Sequence, residues 1–487
     1  MSYENPFASC DLILRNGTVI DGSGRAAFIA DVAIQADRLS HIGPLAGLRA
    51  TREIDVTGLV VAPGFIDVHT HDDASLITKP QMTAKLTQGV TTVIAGNCGI
   101  SAAPYSKPGN PPGLLHLVFK SEHCVSEWFA DYIHKVAAAE PAVNAGFLTG
   151  HTTLRMEVMG DRLDRPATDA EIANMRALLT QCLKEGSLGL STGLFYPPAR
   201  AASTREVIEV AQPLSDHHGV YATHMRDEAD HVLESLLETL ETGRAIRAPV
   251  IVSHHKCMGQ RNFGRSVQTL ALLEEAKRQQ PVAVDVYPYI AGSSVLNEDL
   301  VTQSSRTVVT WCDRNPSYSG RDLSDIAAEL GCTPLQAVPK LLPAGALYFM
   351  MDEEDVTRIM RFPEAMIGSD GLPEDQHPHP RLWGTFPRVL GRYVRERNVL
   401  TLEEAIHRMT GLPAARFGLP GRGQIAAGHH ADLCIFDPQT ILDTATFEQP
   451  AQAATGIHHV LVNGRLALEN GQPTGIRAGS VLTRNQH

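Results

Sequence analysis

The sequence lacks the features that mark several large classes of protein. Basic residues are outnumbered, with 42 Lys and Arg against 54 Asp and Glu, so the net charge is −12. Such an acidic chain repels phosphate backbones and anionic lipid surfaces, which argues against general binding to nucleic acids or membranes. No apolar run approaches the roughly 18 residues of a membrane-spanning helix. The first residues also lack the basic and then apolar pattern of a signal peptide.

Paired cysteine motifs are lacking as well. The eight cysteines are scattered through the chain, and none stands in a C-x-x-C pair. This pattern predicts reduced thiols in a cytoplasmic protein. With 43% apolar and 20% charged residues, the composition is that of a globular protein, which excludes a disordered or fibrous chain. A chain of this length allows about two to four domains.

Both ends of the chain are rich in short strand patterns. Residues 11–61 begin with a strand-like run that ends in an Asn16-Gly17 turn signal, and further short strands follow. The C-terminal part has the same character between residues 431 and 465. The sequence therefore predicts one small β-sandwich domain built from both chain ends, residues 1–61 and 418–487.

The middle of the chain, residues 62–417, alternates strand-like apolar runs with helical patterns. Eight candidate strands end near His69, Cys98, Gly150, Thr192, His224, His254, Tyr287 and Asp370. Several lie about 30 residues apart, the length of one β/α unit, so the pattern predicts an α/β fold with a (β/α)8 TIM-like barrel. The distance from the strand that ends near Tyr287 to the strand that ends near Asp370 is too long for one β/α unit. We predict that residues 291–345 are an insertion that forms a lid over the carboxyl ends of the strands.

The strongest chemical signal is the sequence His69-Thr-His71 at the end of the first predicted barrel strand. Residues two apart in a strand point to the same face, so both imidazoles can bind one metal ion. A lone H-x-H occurs often by chance in a chain with 21 histidines. Its place at a strand end favours a metal site, because the active sites of such barrels lie at that rim.

Other predicted strand ends supply further metal-ligating side chains, namely Cys98, His224, His254 and Asp370. Imidazole, thiolate and carboxylate groups would then meet at one rim, and this donor set suits Zn²⁺. Strand alternation favours His254 over its neighbour His255, but the sequence leaves both open.

These motifs make the chain resemble the amidohydrolase superfamily and, within it, the N-acyl-D-amino-acid deacylases. The motifs that carry the resemblance span nearly the whole chain: residues 58–73 (GLVVAPGFIDVHTHDD), 96–99 (GNCG), 223–228 (THMRDE), 253–256 (SHHK), 286–289 (VYPY), 368–373 (GSDGLP) and 423–433 (GQIAAGHHADL). A cysteine in the Gly-Asn-Cys-Gly run is specific to the deacylase branch, since many relatives use a lysine elsewhere as the bridging ligand.

The resemblance implies a zinc enzyme that hydrolyses N-acyl-D-amino acids to a carboxylate and a free D-amino acid. It implies one tightly held Zn²⁺, bound by Cys98, His224 and His254. A second, weaker metal position would use His69, His71 and Asp370, with Cys98 shared. The carboxylate of Asp370 would also take a proton from water and pass it to the departing nitrogen.

The same resemblance implies which side chains bind the free carboxylate of the substrate: Lys256, Tyr287, Ser293 and Arg381. Local cations, and a planar Arg fork above all, would let an acidic chain capture this anion. Residues 288–305 contain no Lys or Arg, which favours apolar D side chains such as D-Leu, D-Met or D-Phe. The acyl group and the oligomeric state are left open by the sequence.

Two other functions compete with this interpretation. A cyclic amidase of the hydantoinase or dihydropyrimidinase kind would share the barrel and the H-x-H, but a bridging carboxylated lysine is expected where this chain offers Cys98. A non-enzymatic scaffold on the same fold would have lost ligands, whereas all six candidates are present here. We interpret His151 as a structural residue, and residues 377–380 (HPHP) as a proline-rich loop beside Arg381.

Overall fold

The computed structural model describes residues 10–107, 109, 115, 118–119 and 122–484. The outermost parts of the two predicted end segments, residues 1–9 and 485–487, therefore lie outside the described residues. The strands are β1 (Cys10–Val19), β2 (Phe28–Gln35), β3 (Arg38–Gly43), β4 (Ala50–Asp55), β5 (Val60–Pro63), β6 (Phe65–Asp67), β7 (Val90–Ala95), β8 (Asn144–Phe147), β9 (Thr149–Gly150), β10 (Gly189–Gly193), β11 (Val220–His224), β12 (Val250–Val252), β13 (Val282–Val286), β14 (Ala291–Val295), β15 (Arg306–Cys312), β16 (Ala344–Phe349), β17 (Ala365–Ile367), β18 (Leu433–Phe436), β19 (Ile457–Val462), β20 (Arg465–Glu469) and β21 (Gln472–Pro473).

Helices alternate with the strands through the middle of the chain. They are α1 (Ser75–Thr78), α2 (Thr83–Leu86), α3 (Phe129–Ala139), α4 (His151–Met159), α5 (Asp169–Lys184), α6 (Pro197–Arg200), α7 (Thr204–Ala211), α8 (Pro213–Asp216), α9 (Val232–Ile246), α10 (Ser266–Ala276), α11 (Glu298–Gln303), α12 (Leu323–Glu329), α13 (Pro334–Leu341), α14 (Glu353–Arg361), α15 (Arg381–Arg388), α16 (Leu402–Met409) and α17 (Gly411–Phe417). A π-helical segment, Val389–Glu396, continues α15. None of these helices combines the length and the hydropathy that crossing a bilayer requires.

Two parallel sheets form the middle of the molecule. One has the strand order β6-β7-β8, and the other has the order β17-β13-β12-β11-β10-β9. An isolated parallel bridge joins Thr70, just after β6, to Gly371, just after β17. The strands of both sheets are buried along their whole length, as expected of parallel sheets covered by helices. Each of the eight predicted strands is therefore present, and the predicted α/β class is confirmed.

One buried cluster of side chains lies along both parallel sheets. Its members lie in the parallel strands or directly beside them: Ile66, Ile94, Leu148, Leu188, Ala222, Ile251, Ala283 and Met366. The β-branched and leucine side chains of these strands pack against one another. Their packing fixes the strands relative to one another, and so fixes the strand ends that carry polar residues.

The long step after β13 contains a small layer of its own. Strands β14, β16 and β15 form an antiparallel sheet in that order, with α11, α12 and α13 packed beside it. The sheet extends to Phe349, slightly beyond the predicted end of the insertion at residue 345. Its core also includes Met258 and Tyr287, which follow β12 and β13, so this layer lies against the carboxyl ends of the parallel strands.

The two chain ends form one nine-stranded sheet. Its order is β21-β20-β19-β18-β5-β1-β2-β3, and β4 pairs with β1 on a branch. Strand β5 joins the two ends, since it runs parallel to β1 and antiparallel to β18. The expected association of the two ends is present as a single sheet, and the β-sandwich stays a prediction.

The chain has three Asn-Gly dipeptides, and their outcomes differ; Asn470-Gly471 joins β20 to β21 with both residues at positive φ. Asn463-Gly464 lies between β19 and β20, with both residues at positive φ, and forms the expected tight turn. Asn16-Gly17 does not end a strand, so the predicted turn there is wrong. It is a bulge inside β1, where the pairing with β2 shifts between Leu14 and Gly17. A Cβ at Gly17 would come within 2.6 Å of Val61, which explains the glycine.

Candidate metal centre

The carboxyl ends of the parallel strands bring all six predicted ligands into one cluster. Two groups of donor atoms each lie within 4.8 Å of one another: the first is His69, His71, Cys98 and Asp370, and the second is Cys98, His224 and His254. We call these six residues the ligand cluster. All are buried, and Cys98 belongs to both groups. The arrangement follows from parallel strands that all end at the same rim.

Backbone strain accompanies three of these ligands. Cys98, His254 and Asp370 have φ values of 53°, 36° and 49°, in the left-handed region that non-glycine residues seldom adopt. Such conformations cost of order 1–3 kcal/mol each and collect at functional sites. Each of the three residues lies just beyond a short parallel strand, where this turn aims its side chain at the cluster.

The distances within the ligand cluster centre on the Cys98 thiol. Its Sγ lies 3.3 Å from His69 Nε2 and 3.4 Å from His254 Nε2. Asp370 Oδ1 lies 3.2 Å from His71 Nε2 and 3.5 Å from His69 Nε2. Thiolate, imidazole and carboxylate donors at this spacing are the set that Zn²⁺ prefers.

The protonation chemistry of the ligand cluster also fits a cation. Although burial opposes it, the imidazoles of His69 and His254 hold the pKa of the Cys98 thiol well below its usual range. Burial lowers the pKa of His224, but Glu228 and Cys98 outweigh it and raise the pKa to about 9. The Nδ1 of His224 makes no hydrogen bond within the described residues. Buried polar atoms of this kind are rare without a partner, and a metal ion would supply one.

Two buried carboxylates orient the histidine ligands from outside. Asp285 Oδ2 lies 3.2 Å from His69 Nδ1, and its Oδ1 accepts a hydrogen bond from the backbone N–H of His254. Glu228 Oε1 lies 3.1 Å from His254 Nδ1. Metal-bound histidines ordinarily donate their second ring N–H in this way, which fixes the ring.

Sequence reasoning missed both carboxylates as site residues, although each has a signal. Asp285 is the acidic residue in an otherwise apolar strand, β13. Glu228 follows His224 by four residues, and its Oε2 lies 3.3 Å from His224 Nε2.

The two adjacent histidines point in different directions. His254 points its Nε2 at Cys98, whereas His255 Nε2 lies 2.8 Å from Thr269 Oγ1 on α10. Burial lowers the pKa of His255 to about 4, which keeps its ring neutral. His151 also lies away from the cluster, with its Nε2 3.3 Å from Glu206 on α7.

The four predicted substrate-binding residues lie beside the ligand cluster. Lys256, Tyr287 and Ser293 line one cavity together with His224, His254 and Asp370. Lys256 Nζ lies 2.7 Å from Glu228 Oε2. Neither Lys256 nor Arg381 is at the surface, since their exposed fractions are 7% and 1%. A surface ion pair is therefore the wrong description of either cation.

Arg381 lies behind Asp370 and is not one of the residues that line the cavity. Its Nη1 lies 3.0 Å from Asp370 Oδ2, and its guanidinium lies 4.6 Å from the centre of the Tyr287 ring. The remaining walls of the cavity are mostly apolar: Phe195, Tyr196, Met258, Leu300, Tyr348 and Met350. The cavity is thus lined by three residues of the ligand cluster, by the buried Lys256 and by a mostly apolar wall.

Comparison with known proteins extends the similarity over the whole chain. The profile of the amidohydrolase family matches residues 52–287 and 294–467. A D-aminoacylase of Alcaligenes xylosoxydans xylosoxydans is 54% identical over 99% of this chain and 99% of its own. An N-acyl-D-aspartate deacylase of the same organism is 48% identical over 98% of this chain and 95% of its own.

A solved structure shares the fold. It is an N-acyl-D-glutamate deacylase of Bordetella bronchiseptica in complex with zinc and a phosphonate inhibitor that mimics the tetrahedral intermediate. The two chains are 42% identical, and the match has a TM-score of 0.93 over 98% of this chain and 100% of that one.

Proposed function

The chain belongs to the amidohydrolase family, and from that premise we propose that it is a zinc-dependent N-acyl-D-amino-acid deacylase. It hydrolyses a linear amide and releases a carboxylate and a free D-amino acid. The observation that carries the proposal is a single cavity that His224, His254 and Asp370 of the ligand cluster line together with Lys256, Tyr287 and Ser293. Relatives with deacylase names that are 54% and 48% identical across the chain support it.

The proposed architecture is a (β/α)8 barrel over residues 62–417, with residues 291–345 as a lid and a small β-sandwich from residues 1–61 and 418–487. The parallel bridge between Thr70 and Gly371 supports closure of the two parallel sheets into one barrel. The buried cluster shared by both sheets supports it as well. Catalysis would then occur at the rim where barrel strands end.

Cys98, His224 and His254 are the proposed ligands of a tightly held zinc ion. His69, His71 and Asp370 are the proposed ligands of a second, weaker position that shares Cys98. Zinc, when bound, supplies Lewis acidity that makes water easier to deprotonate and polarises a carbonyl group. The low pKa of Cys98 supports this assignment, because the thiolate is the form of cysteine that binds metal.

Asp370 is the proposed proton carrier. Although burial opposes it, Arg381 holds the pKa of the Asp370 carboxyl well below its usual range, with His69 as a further cause. The carboxylate is thus ionised, which is the form that can accept a proton from water. It then delivers this proton to the amide nitrogen as the C–N bond breaks, which turns a poor leaving group into a neutral amine.

The free carboxylate of the substrate is the proposed partner of Lys256, Tyr287, Ser293 and Arg381. Burial opposes charge on Lys256, but Glu228 raises the pKa of its amine. Burial raises the pKa of the Tyr287 phenol, which therefore stays a hydrogen-bond donor. Ser293 Oγ is buried without a hydrogen-bond partner in the described residues, so it has a hydrogen bond to give.

The cavity walls favour an apolar D side chain. Met258, Leu300 and Met350 line it, and Lys256 is the one cation among the described residues that do so. A D-Asp or D-Glu side chain would bring a second negative charge without a second lining cation. D-Leu, D-Met and D-Phe are therefore the proposed side chains. The eight cysteines, which form no disulfide, accord with the proposed place in the cytoplasm.

A cyclic amidase is the less supported alternative. It would need a bridging carboxylated lysine, and the buried lysine nearest to the His69 segment is Lys85. Its amine lies 2.7 Å from Asp67 and 3.1 Å from Asp72, so it is held by two carboxylates and does not belong to the ligand cluster. Cys98 takes the shared position instead.

The proposal is tested by initial rates of zinc-reconstituted protein with N-acetyl-D-methionine and N-acetyl-L-methionine. We expect strong preference for the D form, and slower hydrolysis of N-acetyl-D-aspartate and N-acetyl-D-glutamate. Hydrolysis of hydantoin with none of the N-acetyl amino acids would select the cyclic amidase. Failure to bind zinc at all would select the scaffold.

A further inference from the structure

The segment between β17 and α15 carries a buried histidine with two fixed hydrogen bonds. His379 Nδ1 accepts a hydrogen bond of 2.9 Å from the backbone N–H of Arg381. Its Nε2 lies 2.9 Å from the carbonyl oxygen of Ala291. A backbone N–H can only donate and a carbonyl can only accept, so the ring is neutral with its proton on Nε2. Burial, together with the nearby Arg381, holds the pKa of this ring well below its usual range.

This ring joins three segments that are distant in the sequence. Ala291 is the first residue of β14 in the inserted layer, and Ser293 is on the same face of that strand, two residues further on. The ring also packs edge-on against Tyr289, at 5.0 Å between ring centres, and against Phe447 from the C-terminal part, at 5.1 Å. His379 therefore links the backbone of Arg381 directly to the strand that carries Ser293.

Arg381 depends on such a link. None of its guanidinium nitrogens makes a hydrogen bond within the described residues. The group is located by its ion pair with Asp370 and by the face of Tyr287. The side chain is buried, with 1% of its surface exposed, so the position of the guanidinium follows the position of the Arg381 backbone.

We propose that His379 is a positioning residue for substrate binding, which fixes the position of Arg381 relative to strand β14 and Ser293. This inference rests on the proposed function, because it assigns Arg381 and Ser293 to the substrate carboxylate. A shift of β14 relative to Arg381 would separate two groups that must bind the same anion. Binding would weaken, while the ligand cluster and Asp370 would keep their places.

Two substitutions separate the two hydrogen bonds of the ring. His379→Asn keeps an acceptor close to the position of Nδ1 and loses the bridge to Ala291. His379→Gln keeps a donor close to the position of Nε2 and loses the acceptor. We expect H379N to raise KM for N-acetyl-D-methionine about tenfold, with kcat within about twofold, since one bridging hydrogen bond is lost. H379Q keeps the hydrogen bond to Ala291, and the main chain still joins residue 379 to Arg381 two positions on, so its KM should lie within about threefold of the wild-type value.

A neighbouring histidine of the same motif provides the matched control. His377 Nε2 lies 2.7 Å from the carbonyl oxygen of Phe447, and its side chain does not bridge to β14. H377N should leave KM within about twofold of the wild-type value. N-acetyl-D-methionine carboxamide, which lacks the carboxylate, should show no KM difference between wild type and H379N. Unfolding temperatures report whether each variant is folded.

Two results would overturn the inference. The first is an unchanged KM in folded H379N, and the second is an equal KM change for the carboxylate and carboxamide substrates. If neither His379 variant folds, Phe447→Leu carries the test, because it removes one wall of the ring and should raise KM in the same selective way. If wild-type protein does not hydrolyse N-acetyl-D-methionine, the proposed function itself fails.

Discussion

Two buried polar clusters meet at one short segment, residues 67–72, and they differ in how their polar groups are satisfied. The lysine cluster consists of Lys85, Asp67, Thr70, Asp72 and Ser369. Lys85 Nζ lies 2.7 Å from Asp67 Oδ2 and 3.1 Å from Asp72 Oδ2, and it donates to the hydroxyls of Thr70 and Ser369 at 3.0 Å each. The alternate residues, His69 and His71, point to the ligand cluster instead.

The difference shows that one buried polar cluster can stabilise the fold while another serves function. Although burial opposes it, Asp67 and Asp72 raise the pKa of the Lys85 amine, so the lysine cluster is charged and paired within the chain. In the ligand cluster, the Nδ1 atoms of His224 and His71 make no hydrogen bond within the described residues. A cluster that satisfies itself stabilises the fold, whereas one that does not is poised for a ligand.

The largest effect is expected from Asp370→Ala in the ligand cluster. Turnover should fall by at least about 10³-fold, because the proton carrier is lost. Zinc should remain bound through Cys98, His224 and His254, as measured by metal analysis after gel filtration. Loss of all zinc together with turnover would contradict the separation of these roles.

Cys98→Ser should come next, because it removes the donor that both ligand groups share. Zinc affinity should fall by more than the roughly 10–100-fold that follows loss of an outer partner of a ligand. Competition with a chromophoric chelator measures this affinity. Cys332→Ser, at a cysteine outside the cluster, is the control and should leave the affinity unchanged.

Lys85→Met should affect the stability of the fold, because Lys85 is the cation of the lysine cluster. It leaves two buried carboxylates without their cation, which should lower the free energy of unfolding by about 3–5 kcal/mol. Urea denaturation measures it, with Lys79→Met as the control, because Lys79 forms an exposed pair with Glu374. That control should change the free energy by less than about 1 kcal/mol. Equal effects of the two substitutions would remove the distinction between the clusters.

A smaller effect is expected from pH at Glu206, a buried carboxylate paired with Arg155. Although burial opposes it, His151, the backbone N–H of Ala167 and Arg155 lower the pKa of Glu206 to about 2. A folded pKa below the unfolded value contributes stability above about pH 4.5, and that stability is lost as the pH falls towards 2. Wild type should exceed Glu206→Gln by about 2 kcal/mol at pH 6, and the difference should shrink by pH 3. A constant difference over this range would contradict the assignment.

The smallest effects are expected from Lys256→Ala and Arg381→Ala, which should mainly weaken substrate binding. Each should raise KM for N-acetyl-D-methionine by about tenfold, since each removes one charged partner of the carboxylate. Steady-state kinetics measures KM and kcat for each variant. An unchanged KM in both variants would reject the proposed carboxylate-binding group.

Much of the metal centre could be predicted from the sequence, because its signals are local. Parallel strands of one barrel end at one rim, so residue types at the strand ends, such as Cys98 and His224, were enough to predict their meeting. His254 was favoured by strand alternation, although it lies beyond β12 at a positive φ, where alternation does not apply. The residue that lies in the ligand cluster was thus favoured for an incomplete reason.

The missed features depend on contacts between distant segments. Asp285 and His379 meet their partners across sheet and loop, at His69 and Ala291, and no spacing in the sequence shows these pairs. The Asn16-Gly17 bulge was missed because the same dipeptide can form a turn or a bulge. Packing against Val61 decides the outcome there.

The most direct test of the account is a titration of metal-stripped protein with zinc, followed by initial rates with N-acetyl-D-methionine. The account predicts that D-selective hydrolysis is absent before zinc is added and rises in proportion to the first equivalent per chain. Full activity of the metal-stripped protein, or no D-selective activity at any zinc concentration, would contradict it.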